Sequence, residues 1–266
     1  MNTPIIEEAG VRRKLIVANW KMNGSRRTLI PLLTGLRANV PTSGCDVAVC
    51  VPFPYLDLCS VGLSGSVIKL GAQDLSEHAD GAHTGDVSTE MLRDFGCRYV
   101  LVGHSERRVA HHEGDDVVVR KMQRAMSEGL QPIVCVGETW EERGYGHTHT
   151  VLTRQVSAVA AGLAQDQLAR LIIAYEPVWA IGTGMTATPA MAQDAHATIR
   201  RCLAGYSTSA ARRVPILYGG SMKPDNAGEL LAMPDIDGGL VGGASLDAAQ
   251  FVAIVEEAMA VVPSMA

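Results

Sequence analysis

The sequence predicts a parallel α/β protein, closed as an eight-stranded (β/α)8 barrel in a single domain. Three observations predict it. Eight short apolar runs of strand length recur along the chain, and most are followed by segments of helical period. No Gly-x-Gly-x-x-Gly turn follows the first run, which continues instead into Asn19-Trp20-Lys21. No linker divides the chain into halves. An open doubly wound sheet also accommodates repeated βα units, but the count of eight and the missing glycine fingerprint favour closure.

The expected strands, in order, are Leu15-Ile16-Val17-Ala18, Val47-Ala48-Val49-Cys50-Val51, Ile68-Lys69-Leu70-Gly71 and Tyr99-Val100-Leu101-Val102. They continue with Pro132-Ile133-Val134-Cys135-Val136, Leu171-Ile172-Ile173-Ala174-Tyr175, Pro215-Ile216-Leu217-Tyr218 and Leu240-Val241-Gly242. Near-continuous apolar runs of this kind belong to strands covered on both faces. Between them, Val118, Met122, Ala125 and Met126 follow helical spacing, as do Leu152, Val156, Val159, Ala160 and Leu163. Pro189 opens a helix that runs to about Gly205, and Asp247 is the expected N-cap of a last helix from about Ala248 to Ala260. Residues 1–12 form a loose polar extension, and residues 13–266 form the barrel.

The chain has 266 residues, with 23 basic and 28 acidic side chains and a net charge of −5. Hydrophobic residues make up 47 % and charged residues 19 %, which excludes a disordered chain. Mild acidity argues against a nucleic-acid surface. No uninterrupted apolar stretch is long enough to span a membrane, and the acidic start Ile5-Ile6-Glu7-Glu8 does not resemble a signal peptide. The six cysteines (Cys45, Cys50, Cys59, Cys97, Cys135 and Cys202) form no Cys-x-x-Cys pair. They are expected to be buried free thiols of a protein in the reducing cytoplasm. No metal-ligand pattern appears.

In parallel α/β proteins the chemistry gathers at the carboxyl ends of the strands. Here those ends carry Asn19 and Lys21 after the first strand, and Gly103-His104-Ser105-Glu106-Arg107-Arg108 after the fourth. The sixth is followed by Glu176-Pro177-Val178-Trp179-Ala180-Ile181-Gly182-Thr183-Gly184, the seventh by Gly219-Gly220-Ser221, and the eighth by Gly242-Gly243. Taken singly, a lysine is usually solvated, a histidine usually satisfied within the fold, and a Gly-Gly pair usually a turn. A base, an imidazole, an ammonium and two glycine loops at one rim form a proton-transfer set beside an anion cradle. Neither glycine loop has the Lys-Ser or Lys-Thr of a nucleotide P-loop, so a small phosphorylated metabolite fits better than a nucleotide. The apolar Val178–Ile181 stretch, followed by Gly182 and Gly184, suits a lid that excludes water.

These residues coincide with a known family. NWKMNG (Asn19 to Gly24), GHSERR (Gly103 to Arg108), CVGE (Cys135 to Glu138), YEPVWAIGTG (Tyr175 to Gly184), YGGS (Tyr218 to Ser221) and LVGGASL (Leu240 to Leu246) occur in family order and spacing. The chain resembles triosephosphate isomerase along nearly its whole length after the first dozen residues. The resemblance implies interconversion of dihydroxyacetone phosphate and D-glyceraldehyde 3-phosphate through an enediol(ate), in glycolysis and gluconeogenesis. It implies that Glu176 moves the proton and that neutral His104 polarises the carbonyl. Asn19 and Lys21 would contact substrate, Glu106 would hold Lys21, and Gly182, Ser221, Gly242 and Gly243 would bind the phosphate. It further implies no cofactor or metal, and a homodimer.

The third-strand loop departs from the family's usual GAFTGE. Gly81-Ala82-His83-Thr84-Gly85-Asp86 has His83 for the aromatic and an acid one methylene shorter. By resemblance the loop around Thr84 enters the partner subunit and Asp86 meets an arginine that maps to Arg107, which the shorter acid reaches less well. Met185 stands where a lysine is common. Two rival readings keep the same barrel: a paralogous isomerase of a four-carbon ketose phosphate, and a non-catalytic barrel that binds phosphorylated metabolites. The second is expected to have lost Glu176, His104 or Lys21, and none is lost.

Overall fold

A computed structural model describes residues 12–181 and 185–261. Nearly all of the expected N-terminal extension therefore lies outside the described residues. Eight parallel strands close on one another in sequence order: β1 Leu15–Asn19, β2 Asp46–Val51, β3 Lys69–Ala72, β4 Tyr99–Val102, β5 Gln131–Val136, β6 Ile172–Tyr175, β7 Ile216–Tyr218 and β8 Gly238–Val241. Leu15 pairs with Asp46 on one side and Gly238 on the other, which closes the barrel through β1.

The helices between the strands are α1 Arg26–Asn39, α2 Leu56–Leu63, α3 Thr89–Asp94, α4 Ser105–Ala110, α5 Asp115–Ser127 and α6 Trp140–Gly144. They continue with α7 Thr148–Ala161, α8 Pro189–Tyr206, α9 Thr208–Arg213, α10 Pro224–Leu231 and α11 Ala248–Ala260. The expected last helix has its stated bounds, and Asp247 caps it by accepting the Gln250 N–H at 2.9 Å. The stripe Val118, Met122, Ala125 and Met126 on α5 is buried, as helical spacing requires.

The strand side chains divide into two sets because successive residues point to opposite faces. Leu15, Val17, Leu101, Ile133, Cys135, Ile172 and Leu217 belong to a cluster filling the barrel. Ile16, Ala18, Val100, Val102, Val134 and Ile173 pack outward under the helices. Both faces are dry, which is why the strands appear in the sequence as unbroken apolar runs. All six cysteines are free, and all but the half-buried Cys202 are buried. Burial pushes the thiols of Cys45, Cys59 and Cys97 up to about 12, so they act as small apolar side chains.

The eighth strand begins earlier than its apolar run suggests. Gly238 and Gly239 start it, and neither carries a side chain that an apolar run could reveal. Gly238 has φ +157°, and a Cβ there would overlap the carbonyl oxygen of Leu15. The closing seam of the barrel therefore requires glycine. Behind this seam Asp237 accepts from Arg12 and Arg200 at 2.6 Å each, and from the Ile216 N–H at 2.9 Å. The amino end of the barrel is thus tied by part-buried ion pairs on a buried carboxylate.

Candidate active site

A cavity of about 470 Å³ lies at the carboxyl end of the barrel. Asn19, Lys21, His104, Glu176, Ser221, Gly242 and Gly243 all line it. They come from five different strand ends, so the barrel rather than any local segment assembles the set.

Lys21 reaches the cavity through an unusual backbone. Its φ is +52°, a left-handed conformation that non-glycine residues seldom adopt. Two side-chain amides hold it there. Asn19 Oδ1 accepts the Lys21 N–H at 3.0 Å, and Gln73 Nε2 donates to the Lys21 carbonyl at 3.0 Å. The ammonium then donates to Glu106 Oε1 at 2.7 Å. Local strain is here exchanged for a fixed cation at the cavity.

His104 caps α4, and its Nδ1 accepts the Glu106 backbone N–H at 3.2 Å. That bond requires a lone pair on Nδ1, so the neutral ring carries its proton on Nε2. Nε2 lies 2.8 Å from Glu176 Oε1, close but poorly aligned for a hydrogen bond. The other carboxylate oxygen, Oε2, accepts the Ser105 N–H at 2.8 Å. Glu176 is buried, and burial alone would raise its pKa. The His104 ring, the Ser105 N–H and the Lys21 charge outweigh that and hold it below the ordinary value, so the carboxylate is ionised. Burial opposes an imidazolium at His104, but the Glu176 charge and then Glu106 draw its pKa upward while the carboxylate rests there.

Glycine permits the carboxylate's backbone to pass. A Cβ on Gly137 would overlap the Glu176 carbonyl oxygen, so only glycine lets β5 and β6 approach this closely at their ends. Beyond Glu176, a tight turn over Val178–Ala180 is anchored on Glu138. The fully buried Glu138 accepts from Trp179 Nε1 at 2.9 Å and Tyr175 Oη at 3.1 Å, and meets Arg143 Nη1 at 3.2 Å.

Gly219, Gly220, Gly242 and Gly243 also line the cavity. Gly242 lies next to Lys21, where a Cβ would come within 3.4 Å of the lysine Cε, while Gly243 faces open space. Ser221 is placed by Asn226, whose Nδ2 donates to the Ser221 carbonyl at 3.1 Å. Small residues around a cation leave room for an anion. Gly182, expected to join them, lies outside the described residues.

The family model described as triosephosphate isomerase matches residues 14–258. The chain is 58 % identical over 248 residues to a triosephosphate isomerase of Herminiimonas arsenicoxydans, covering 93 % of this chain and 100 % of the relative. It is 52 % identical to one from Cupriavidus taiwanensis, over 92 % of this chain and 99 % of the relative. It is 53 % identical to one from Bordetella pertussis, over 91 % of this chain and 96 % of the relative. The chain belongs to the triosephosphate isomerase family.

Within that family frame, the residues expected at a subunit interface are partly engaged inside the chain. Asp86 accepts from Ser76 Oγ at 2.6 Å, which folds its own loop. Arg107 meets Asp74 through Nη2 and Glu113 through Nε, each at 2.8 Å. Lys121 joins the same acids, at 2.7 Å from Asp74 Oδ1 and 2.7 Å from Glu113 Oε1. Thr84 is exposed, and His83 stacks on His78 with centroids 4.1 Å apart.

Gln73, Ser105 as a donor to Glu176, and Glu138 as an anchor are not marked by the sequence. Ser105 and Glu138 lie inside the GHSERR and CVGE motifs, but their roles depend on contacts across 71 and 41 positions. Gln73 contacts Lys21 across 52 positions and carried no motif signal.

Proposed function

We propose that this chain interconverts dihydroxyacetone phosphate and D-glyceraldehyde 3-phosphate by carboxylate-mediated proton transfer. The observation that carries the reading is the meeting of Glu176, His104 and Lys21 in one cavity that Ser221, Gly242 and Gly243 also line. Glu176 removes the proton from C1 of dihydroxyacetone phosphate, and charge develops on the C2 oxygen. The His104 Nε2–H and the Lys21 ammonium stabilise that oxygen, while Asn19 contacts substrate from the same strand end. A proton passes from the C1 hydroxyl to the C2 oxygen, and Glu176 returns its proton to C2. No atom is gained or lost.

The resting contacts of Glu176 bear on its basicity. Substrate takes the place of the carboxylate beside His104, and Glu176 leaves the Ser105 N–H to reach carbon. Both departures remove groups that stabilise its charge, so its affinity for a proton rises as it engages substrate. Removing the carboxylate from His104 also removes the main influence favouring an imidazolium, so the Glu106 N–H then keeps the ring neutral.

The working form is proposed to be a cytoplasmic homodimer. The exposed 78–86 loop supports a partner contact, and free thiols suit a reducing compartment. A coupled assay with purified protein tests the activity. Rapid conversion of both trioses is expected; faster turnover of a four-carbon ketose phosphate would replace the substrate, and absence of any turnover would remove the reading.

A further inference from the structure

Trp140 is 63 % exposed, an unusual place for the largest apolar side chain. Its ring lies against Trp179, with centroids 6.5 Å apart and planes at 55°. Trp179 is also held by the Glu138 carboxylate and by the Arg143 guanidinium, whose central carbon sits 4.4 Å from the ring centroid. Among the described residues, the Trp179 indole is thus contacted by a carboxylate, a cation and a second aromatic ring.

Trp179 connects to Glu176 through a stiff link. Pro177 and Val178 separate Glu176 from Trp179, and the segment is tightened by Ala180 N–H to Pro177 O at 2.8 Å and Ile181 N–H to Val178 O at 3.2 Å. Val178 N–H in turn donates to the Glu138 carbonyl at 3.2 Å. A movement that carries Glu176 off the Ser105 N–H therefore pulls on Trp179. Glu138 and Arg143 are part of the polar network that supports the turn, whereas Trp140 stands outside it and can be altered alone.

We propose that Trp140 is a positioning residue: its ring holds Trp179, and through it Glu176, in the retracted arrangement. This rests on Glu176 being the base. An interaction made in the retracted state and weakened in the engaged one lowers the fraction of enzyme ready for substrate. Its removal favours engagement without touching the reacting groups.

The test compares Trp140→Ala and Trp140→Phe with the unaltered protein, using steady-state kinetics with dihydroxyacetone phosphate and thermal melting. Trp140→Ala is expected to lower KM about threefold, the scale of one aromatic pair, with kcat not raised and melting lowered by no more than about 3 °C. Trp140→Phe keeps an aromatic edge and is expected to restore KM toward the original. A KM that is unchanged or raised in Trp140→Ala would overturn the proposal. Glu176→Gln assayed alongside separates the two claims. Near-normal turnover in that variant removes the base assignment, whereas an inactive Glu176→Gln with an unmoved KM in Trp140→Ala removes only the clamp.

Discussion

Lys21 and His196 show how differently two polar residues are used. Lys21 holds a left-handed backbone to present its charge to the cavity. Lys21→Ala is expected to lower kcat/KM about 10²–10³-fold, the usual scale for losing a charge that stabilises a developing oxyanion. Its melting temperature should change little, because Lys21 is only half-buried and alanine keeps the same left-handed backbone, still held by Asn19 and Gln73. His196 on α8 is fully buried, with Nδ1 3.1 Å from the Asp235 carbonyl. Burial, with the Arg200 charge also opposing a second cation, depresses its pKa from 6.5 to about 3. The unfolded chain therefore binds a proton that the folded chain refuses, and stability falls as pH drops from about 6.5 towards about 3. Urea unfolding at pH 7 and pH 5 should show a loss of about 1–2 kcal/mol from this group, and His196→Gln should flatten that dependence. The catalytic candidates were legible because their residue types fall beside strand ends. His196 was not, since a buried histidine on a helix face has no sequence mark that distinguishes it from an exposed one.

At the scale of elements, strands were visible wherever both faces are packed with branched side chains, as in β4 and β5. The start of β8 was not, because Gly238 and Gly239 contribute backbone pairing without apolar side chains. The same geometry gives a prediction. Gly238→Ala places a Cβ against the Leu15 carbonyl at the closing seam and should destabilise the fold by about 3 kcal/mol or more, measured as a lower urea midpoint. Short turns were similarly hidden. Val178–Ala180 is fixed by Glu138 from the end of a different strand, and no local periodicity announces that anchor.

For the whole molecule, closure of the barrel brings residues 19, 21, 104, 176, 221, 242 and 243 to one cavity. The alternation of strand and helix in the sequence implied that convergence, and the family motifs located it. The proposed dimer would depend on contacts less legible in the letters. The expectation that Asp86 reaches Arg107 across an interface meets the fact that both already have partners within the chain. Asp86→Asn is therefore expected to weaken the proposed dimer by less than about tenfold in Kd, as for an exposed ion pair, in sedimentation at varied concentration. A much larger loss would show that Asp86 abandons Ser76 for the neighbouring subunit.

In the proposed reaction the Glu176 carboxylate carries the proton between the two carbons of the triose. The most direct measurement follows isomerisation and deuterium uptake into carbon-bound positions in D2O, with the unaltered protein and with Glu176→Gln, alongside inorganic phosphate binding to each. Conversion with deuterium uptake is expected in the unaltered protein. In Glu176→Gln a loss of about 10²–10⁴-fold in both is expected, with phosphate binding preserved. Conversion and exchange by Glu176→Gln at near-normal rates would contradict that role for the carboxylate.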